Sequence, residues 1–291
     1  MSSKGIAYAI ISSATFGLIP LFSVAAMNGG QSPFSVLFYR FFFSTILFGV
    51  FICAKKVSFR VSLKQFVELF ILGGLCYGGT ALFLILSYGY IPTGIATTIN
   101  FLYPVMVALI MFVIYREKPT LGIALAIVLS LLGVAFMAWS RGGALSTRGV
   151  IYAFITIVAY GFYIVGLNKS SLRGMNGNTV TFYVLLIATV LFFLVAQLFG
   201  GIPPIATARV ALNLVSLAVV ATIISNLTLV LAVKEIGSTT TSVLGSMEPL
   251  TALAVGVFWF GEQLTFWQTV GVVLVVTSVS MVVLLGKRKV H

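Results

Sequence analysis

Ten nearly unbroken apolar runs, each about twenty residues long, constrain this chain more than any other feature. They cover roughly residues 5–27, 34–54, 66–88, 93–114, 119–139, 148–167, 179–199, 210–233, 238–260 and 264–285. A helix of about twenty residues crosses the hydrocarbon of a bilayer, whereas barrel strands alternate over about ten. Short breakers such as "NGGQSP", "YREKPT" and "GGIPPIATAR" separate the runs. The first run is too long for a signal-peptide core and more spans follow it, so it is expected to be retained. Composition agrees: 60% of residues are apolar, 8% are charged and none is Asp. A soluble chain carries about 25% charged residues. The expectation is an all-α polytopic membrane protein of ten transmembrane helices.

The net charge of +12 suggests a nucleic-acid footprint until the basic residues are sorted by loop. With the N-terminus inside, one side collects Lys4, Lys55, Lys56, Arg60, Lys64, Arg116, Lys118, Lys169, Arg173, Lys234, Lys287, Arg288 and Lys289. The other side holds Arg141, Arg148 and Arg209, and Arg40 lies within the second span. This bias puts both termini in the cytoplasm. The basic tail "GKRKVH" is then a membrane-surface anchor, and no nucleic-acid partner is expected.

Several chemistries drop out. A single His, His291, and no Asp leave no metal cluster and no Ser-His-Asp triad. The stretch "GGLCYGG" lacks the Lys-Ser/Thr ending of a phosphate loop. Cys53 and Cys76 fall in or near buried spans and read as packing residues without a disulfide. No enzyme, cofactor or metal is expected.

The chain also repeats its punctuation. Pro104, Glu117 and Thr120 become Pro249, Glu262 and Thr265 when 145 is added. At an offset of 144, Gly5, Tyr8, Ala9 and Gly17 recur as Gly149, Tyr152, Ala153 and Gly161, and Phe38-Tyr39 as Phe182-Tyr183. Each half holds five spans, an odd number, so a duplicated unit enters the membrane from opposite sides in its two copies. The expectation is two inverted five-helix repeats, residues 1–145 and 146–291. Such repeats place a shared site between the halves near the bilayer midplane and open it alternately to either side.

Polar residues at mid-span depth are the candidates for that site. Tyr103 lies about 15 Å into the fourth span, at 1.5 Å per residue, and Glu248 is its counterpart in the ninth. Each precedes a Pro, which removes an N–H and kinks the helix. Pro20 falls in the first span, in the region that matches Tyr160. Thr93, Thr97 and Asn100, matched by Ser238, Ser242 and Gly245, put a polar stripe on one face of each helix. Ser246 adjoins that stripe, and Tyr77, Tyr160, Tyr163 and Asn226 complete the set. The substrate-binding candidates are thus Tyr77, Asn100, Tyr103, Tyr160, Tyr163, Asn226, Ser242, Ser246 and Glu248, with kinks at Pro20, Pro104 and Pro249.

Plainer roles compete. Ser and Thr in membrane helices often bond their own backbone. Tyr88, Tyr90 and Tyr115 suit interface anchors, and Glu117 and Glu262 suit caps or structural ion pairs. Arg40 is within snorkelling reach of the outer surface, and Lys234 and Glu235 suit a loop pair. Gly122, Ala126 and Ser130 form a small-residue face for another helix or a second subunit, so monomer and homodimer stay open. Glu248 resists such readings, because a mid-span carboxyl is expensive and marks function by default.

With "NFLYP", its counterpart "GSMEP" followed by "FGE", and basic inner loops, the whole chain resembles the EamA branch of the drug/metabolite transporter superfamily. Within it, "VAYGFYIVGLNKSSLRGMNG" is most similar to the bacterial aromatic amino acid exporters. The resemblance implies a ten-helix inverted-repeat exporter in a plasma membrane, the bacterial inner membrane. It points to Tyr103 and Tyr160 as cavity-lining, at positions where those exporters tend to carry Trp. The residues themselves fit a zwitterion: Glu248 and tyrosine faces for an ammonium, Asn100, Asn226 and Ser242 for a carboxylate. Proton coupling and uniport are equally compatible. A multidrug exporter of organic cations and a passive channel are the rival readings.

Overall fold

The computed structural model describes residues 2–91, 93–138, 146–260 and 265–288. It is helical throughout, with no strand among the described residues. Helices α1 (Ser3–Phe16) and α2 (Ile19–Asn28) form one interrupted rod, followed by α3 (Pro33–Ala54). Next, α4 (Leu63–Leu69) and α5 (Gly79–Ser87) are joined by a π-helical segment, Phe70–Gly78. A second interrupted rod, α6 (Thr93–Asn100) and α7 (Tyr103–Val113), leads to α8 (Leu121–Ala138). The second half runs α9 (Thr147–Lys169), a 3₁₀ turn at Ser171–Gly174, and α10 (Gly177–Leu198). Then come α11 (Ala208–Ala218), a π segment at Val219–Ile224, and α12 (Ser225–Ile236). It closes with α13 (Ser238–Leu244), α14 (Met247–Phe260) and α15 (Phe266–Arg288).

Among the described residues, six stretches are long and apolar enough to cross a membrane: Ser3–Asn28, Pro33–Ala54, Leu63–Ser87, Thr147–Lys169, Gly177–Leu198 and Ala208–Ile236. Tyr103–Val113, Leu121–Phe136 and Thr269–Met281 are shorter apolar helices. Burial is inverted relative to a soluble protein. Ile46, Val50, Phe154, Val190, Leu194 and Val273 are exposed, while Ser12, Ser44, Thr156, Asn226 and Ser242 are buried. A surface patch of that kind belongs against lipid. With no water inside a bilayer, polar groups turn inward and bond one another. This is a multi-pass membrane protein.

The interruptions follow from residue chemistry. Pro20 and Pro104 each sit in the first turn of the second piece of a broken rod, α2 and α7. There the missing N–H costs nothing, but the preceding turn cannot continue. Pro249 is likewise the third residue of α14. At that break the Glu248 N–H bonds the Gly245 carbonyl at 2.9 Å, so the acceptor expected to be left free by Pro249 is occupied. Between α12 and α13 the turn needs only Gly237, which takes φ +79°, a conformation that favours glycine.

Packing pairs match across the halves. A methyl placed on Gly5 would lie 2.6 Å from Ile236 Cγ2 and 2.8 Å from Glu235 Cβ. On Gly149 it would lie 2.7 Å from Ile91 Cγ2 and 2.9 Å from Tyr90 Cβ, the same contact with 144 or 145 added or subtracted. Gly17 against Thr251 and Gly161 against Met106 are related in the same way. Two contacts join a residue to its own counterpart: the Thr45 and Thr189 hydroxyls at 2.9 Å, and the Phe16 and Tyr160 rings at 6.3 Å.

Direction can be read from the same contacts. Along α3 and α10, Phe38 meets Phe193, Phe41 meets Phe192 and Thr45 meets Thr189, so the helices run antiparallel. Helices α8 and α15 do the same: the Ser278 hydroxyl bonds the Ala126 carbonyl at 2.7 Å, while Gly133 faces Gly271 and Val275. The small-residue face of α8 therefore packs against α15 of the same chain.

Candidate functional site

The π segment of the second half sets up the polar interior. A π turn is wide and leaves carbonyls poorly matched to the i−4 ladder. The Thr222 hydroxyl bonds the Leu217 carbonyl five residues back at 2.7 Å. Neighbouring carbonyls take side chains from across the bundle: Ser44 donates to Ala218 at 3.0 Å and Ser12 to Ser225 at 2.8 Å. Arg40 completes this set. Its Nε donates to Thr222 Oγ1 at 2.6 Å, and one terminal nitrogen lies 3.5 Å from both the Ala221 carbonyl and the Tyr77 hydroxyl. Its guanidinium also lies 5.0 Å from the Phe41 ring centre.

Arg40 therefore does not snorkel to the outer surface. It is 4% exposed and reaches Thr222, mid-way along the Ala208–Ile236 stretch. The sequence clue was a lone Arg flanked by aromatics in "FYRFFF". What it lacked was the partner, which a distant helix supplies.

From Arg40 a row of tyrosines leads through the bundle. Tyr77, in the first π segment, has its ring 5.0 Å from that of Tyr163. Tyr163 and Tyr160 stack at 6.1 Å on α9, and Tyr160 meets Tyr103 edge-on at 4.8 Å. The Tyr163 hydroxyl donates to Asn226 Oδ1 at 2.7 Å. Asn226 Nδ2 and Asn100 Oδ1 are buried without a hydrogen-bond partner among the described residues. Tyr103 and Tyr160 both lie within electrostatic reach of Glu248, and Tyr88 lies within reach of Glu248 and Arg40 together.

Glu248 closes the row. It occupies the first turn of α14 and is 7% exposed, and its side chain has no hydrogen bond or ion pair among the described residues. A carboxylate in that position is costly unless something else satisfies it. Next to it, Gly245 makes room for Tyr103: a methyl there would lie 1.7 Å from the Tyr103 hydroxyl oxygen. Sequence reasoning placed Gly245 in the polar stripe but did not foresee this seat.

The other candidates divide. Tyr77, Tyr103, Tyr160, Tyr163 and Asn226 converge. Ser242 and Ser246 are fully buried near Gly245 but donate to their own helix, to the Thr239 and Val243 carbonyls at 2.8 Å each. Thr97 likewise bonds Thr93. Ser238 instead accepts from Asn168 Nδ2 at 3.3 Å. Lys234 bonds the Met175 carbonyl and not Glu235, which is exposed. Glu117 pairs with Lys169, as a structural ion pair would; Glu262 lies outside the described residues. Tyr90 and Tyr115 are exposed, as interface anchors would be, whereas Tyr88 turns inward beside Arg40. Cys53 and Cys76 are free thiols.

The rings of Tyr77, Tyr163, Tyr160 and Tyr103 pack against one another where a wet cavity was expected. Beside Arg40 lies a void of about 10 Å³ lined by Ser23, Tyr88 and apolar side chains. A larger groove of about 260 Å³ opens between Glu68, Tyr115, Phe162 and Lys169. Among the described residues no cluster of three or more potential metal ligands occurs.

Comparison with known proteins fits this geometry. The model of the EamA-like transporter family matches twice, at residues 3–139 and 147–284. An uncharacterized transporter of Synechocystis sp. is 27% identical over 204 residues, 68% of this chain and 61% of that protein. One from Archaeoglobus fulgidus is 28% identical over 150 residues, 52% of each. The alignments thus span a little over half of each relative. A solved crystal structure superposes with a TM-score of 0.85 over 99% of both chains at 17% identity, a likeness of fold. The chain belongs to the EamA-like transporter family.

Proposed function

We propose that this protein is a secondary transporter that exports neutral amino acids, aromatic ones included, and related small metabolites. It would work by alternating access around the tyrosine row. Ten crossings, arranged as inverted repeats at 1–145 and 146–291 with both termini cytoplasmic, would carry that mechanism. Support comes from the mirrored glycine contacts, the antiparallel pairing of α3 with α10 and α8 with α15, and the inner-loop excess of basic residues. Two like halves in opposite orientation can exchange conformations, which turns a shared site from one face to the other.

The observation that carries the reading is the Glu248 carboxylate, buried with no side-chain partner among the described residues. An ammonium group arriving from solvent would satisfy it, and tyrosine faces would take the side chain. Arg40 in the same row favours a zwitterion over an organic cation, which a fixed positive charge would repel.

Counterflow in proteoliposomes tests this. Labelled phenylalanine should exchange against internal unlabelled phenylalanine faster than it leaves an unloaded gradient, and cationic dyes should compete poorly. Equal exchange and net flux would mean a pore. Strong competition by dyes without amino acid exchange would mean an organic-cation exporter.

A further inference from the structure

We propose that the groove of about 260 Å³ between α4, α7 and α9 is a lipid site, which holds one acyl chain of a phospholipid whose headgroup ends in a primary ammonium. The groove is graded along its length. Ile71, Ile110, Phe162 and Val165 make an apolar stretch, and Glu68, Tyr115 and Lys169 gather at one end. From Phe162 to Lys169 the floor runs about 10 Å, at 1.5 Å per residue. Ile71, Ile114 and Phe162 are exposed at the rims, so the opening faces the acyl chains of a bilayer. The charged end lies on the side that collects Lys64, Arg116, Lys118 and Arg173, all of them exposed. An apolar length that ends in a charged mouth has the layout of a phospholipid entering from that leaflet. The site is separate from the tyrosine row, since Phe162, Val165 and Lys169 line the groove while Tyr160 and Tyr163 belong to the row.

The charges at the mouth choose the headgroup. Glu68 accepts from the Ser171 backbone N–H at 3.0 Å and from the Ser171 hydroxyl, both through Oε2, which leaves Oε1 without a partner among the described residues. The same bonds hold Glu68 two residues from Lys169, and both line the groove. Lys169 gives one N–H to Glu117 and lies over the Tyr115 ring, 5.1 Å from its centre, so its ammonium keeps donors for a further acceptor. A headgroup with a phosphate and a primary ammonium serves both ends, phosphate on Lys169 and ammonium on Glu68 Oε1. A purely anionic headgroup would meet the carboxylates of Glu68 and Glu117 along with Lys169. A choline headgroup has no N–H for Glu68, and Lys169 already covers the Tyr115 ring that would otherwise hold it by a cation–π contact.

Native mass spectrometry of the full chain in detergent, given equimolar dioleoyl phosphatidylethanolamine, phosphatidylcholine and phosphatidylglycerol, tests this. One phosphatidylethanolamine should be retained over each of the others by about tenfold, the effect of one charge-assisted contact. Glu68→Gln keeps an acceptor for Ser171 but removes the charge, and should bring the ethanolamine-to-choline ratio close to one. That ratio is read within a single preparation, so it does not depend on the variant's yield or stability. Ile71→Trp with Ile114→Trp narrows the groove from both rims and should lower retention of the tightest lipid about tenfold. Val190→Trp, at an exposed position on α10 outside the groove, should not. Equal retention of the three lipids by the wild type would overturn the proposal. So would a preference for phosphatidylglycerol, which would mean that the surrounding basic residues select the lipid and Glu68 does not. Undiminished retention in the Ile71 and Ile114 double variant would put the lipid elsewhere. Displacement by an equal concentration of glycerophosphoethanolamine, the headgroup without its chains, would mean a soluble ligand and not a lipid.

Discussion

Tyr103 and Gly245 show how little room the site leaves for error. The Tyr103 hydroxyl lies over the bare Cα of Gly245, whose own φ is an ordinary −57°. Only space, not backbone strain, demands glycine there. Gly245→Ala should push the ring aside and lower exchange by about tenfold to a hundredfold, the usual result of an ångström-scale misplacement. Gly79→Ala serves as the control, because nothing lies within 4 Å of the added methyl. Exchange rates of the two variants at equal protein loading check this. At this scale, Glu248, Tyr103 and Tyr160 could be picked from sequence because type and depth alone made them unusual. Arg40 and Gly245 could not, because what defines each is a partner far along the chain: Thr222 for one, the Tyr103 hydroxyl for the other.

At the scale of elements, hydrophobic runs and prolines carried most of the information. Most of the described residues are helical, and the breaks before Pro20, Pro104 and Pro249 fall where a lost N–H makes them. The two π segments had no such signal. Phe70–Gly78 and Val219–Ile224 contain no Pro; in the second, Thr222 bonds the Leu217 carbonyl and takes Arg40 from a distant helix, a partner no local pattern announces. Packing between the halves gives an element-scale prediction. Gly5 lets α1 approach Glu235 and Ile236 of α12, and Gly149 lets α9 approach Tyr90 and Ile91 just after α5; the proposed inverted arrangement would put these contacts at opposite ends of the bundle. Gly5→Leu should hold the cytoplasmic side apart, and Gly149→Leu the other. Overpacking of this kind costs about 1–3 kcal/mol, so both variants should melt earlier. A cysteine placed at Ser246, with Cys53 and Cys76 replaced by Ser, should become labelled by impermeant maleimide from the cytoplasmic face in the first and from the opposite face in the second. Labelling from one face in both would contradict the assignment.

For the whole molecule, the central idea is that two halves of opposite orientation meet around one row of side chains. Thr45 and Thr189, counterparts across the repeat, touch through their hydroxyls at 2.9 Å. Thr45→Cys with Thr189→Cys, in a background lacking Cys53 and Cys76, should form an intramolecular disulfide under mild oxidation, since the sulfurs would take the places of two oxygens 2.9 Å apart. A parallel or separated arrangement of α3 and α10 would give none, as a mass shift on alkylation would show. The near-constant offset was legible in sequence, and the family model matches each half separately. How the tyrosine rings meet between the halves was not, because composition says nothing of which distant side chains come together.

The most direct measurement compares counterflow of phenylalanine by wild type and Glu248→Gln in matched liposomes, with thermal unfolding alongside. Loss of about tenfold or more in exchange with little change in melting is expected, because the substitution removes a buried carboxylate charge while keeping its shape. Exchange at the wild-type rate would remove Glu248 from the path and, with it, the reason to place a substrate there.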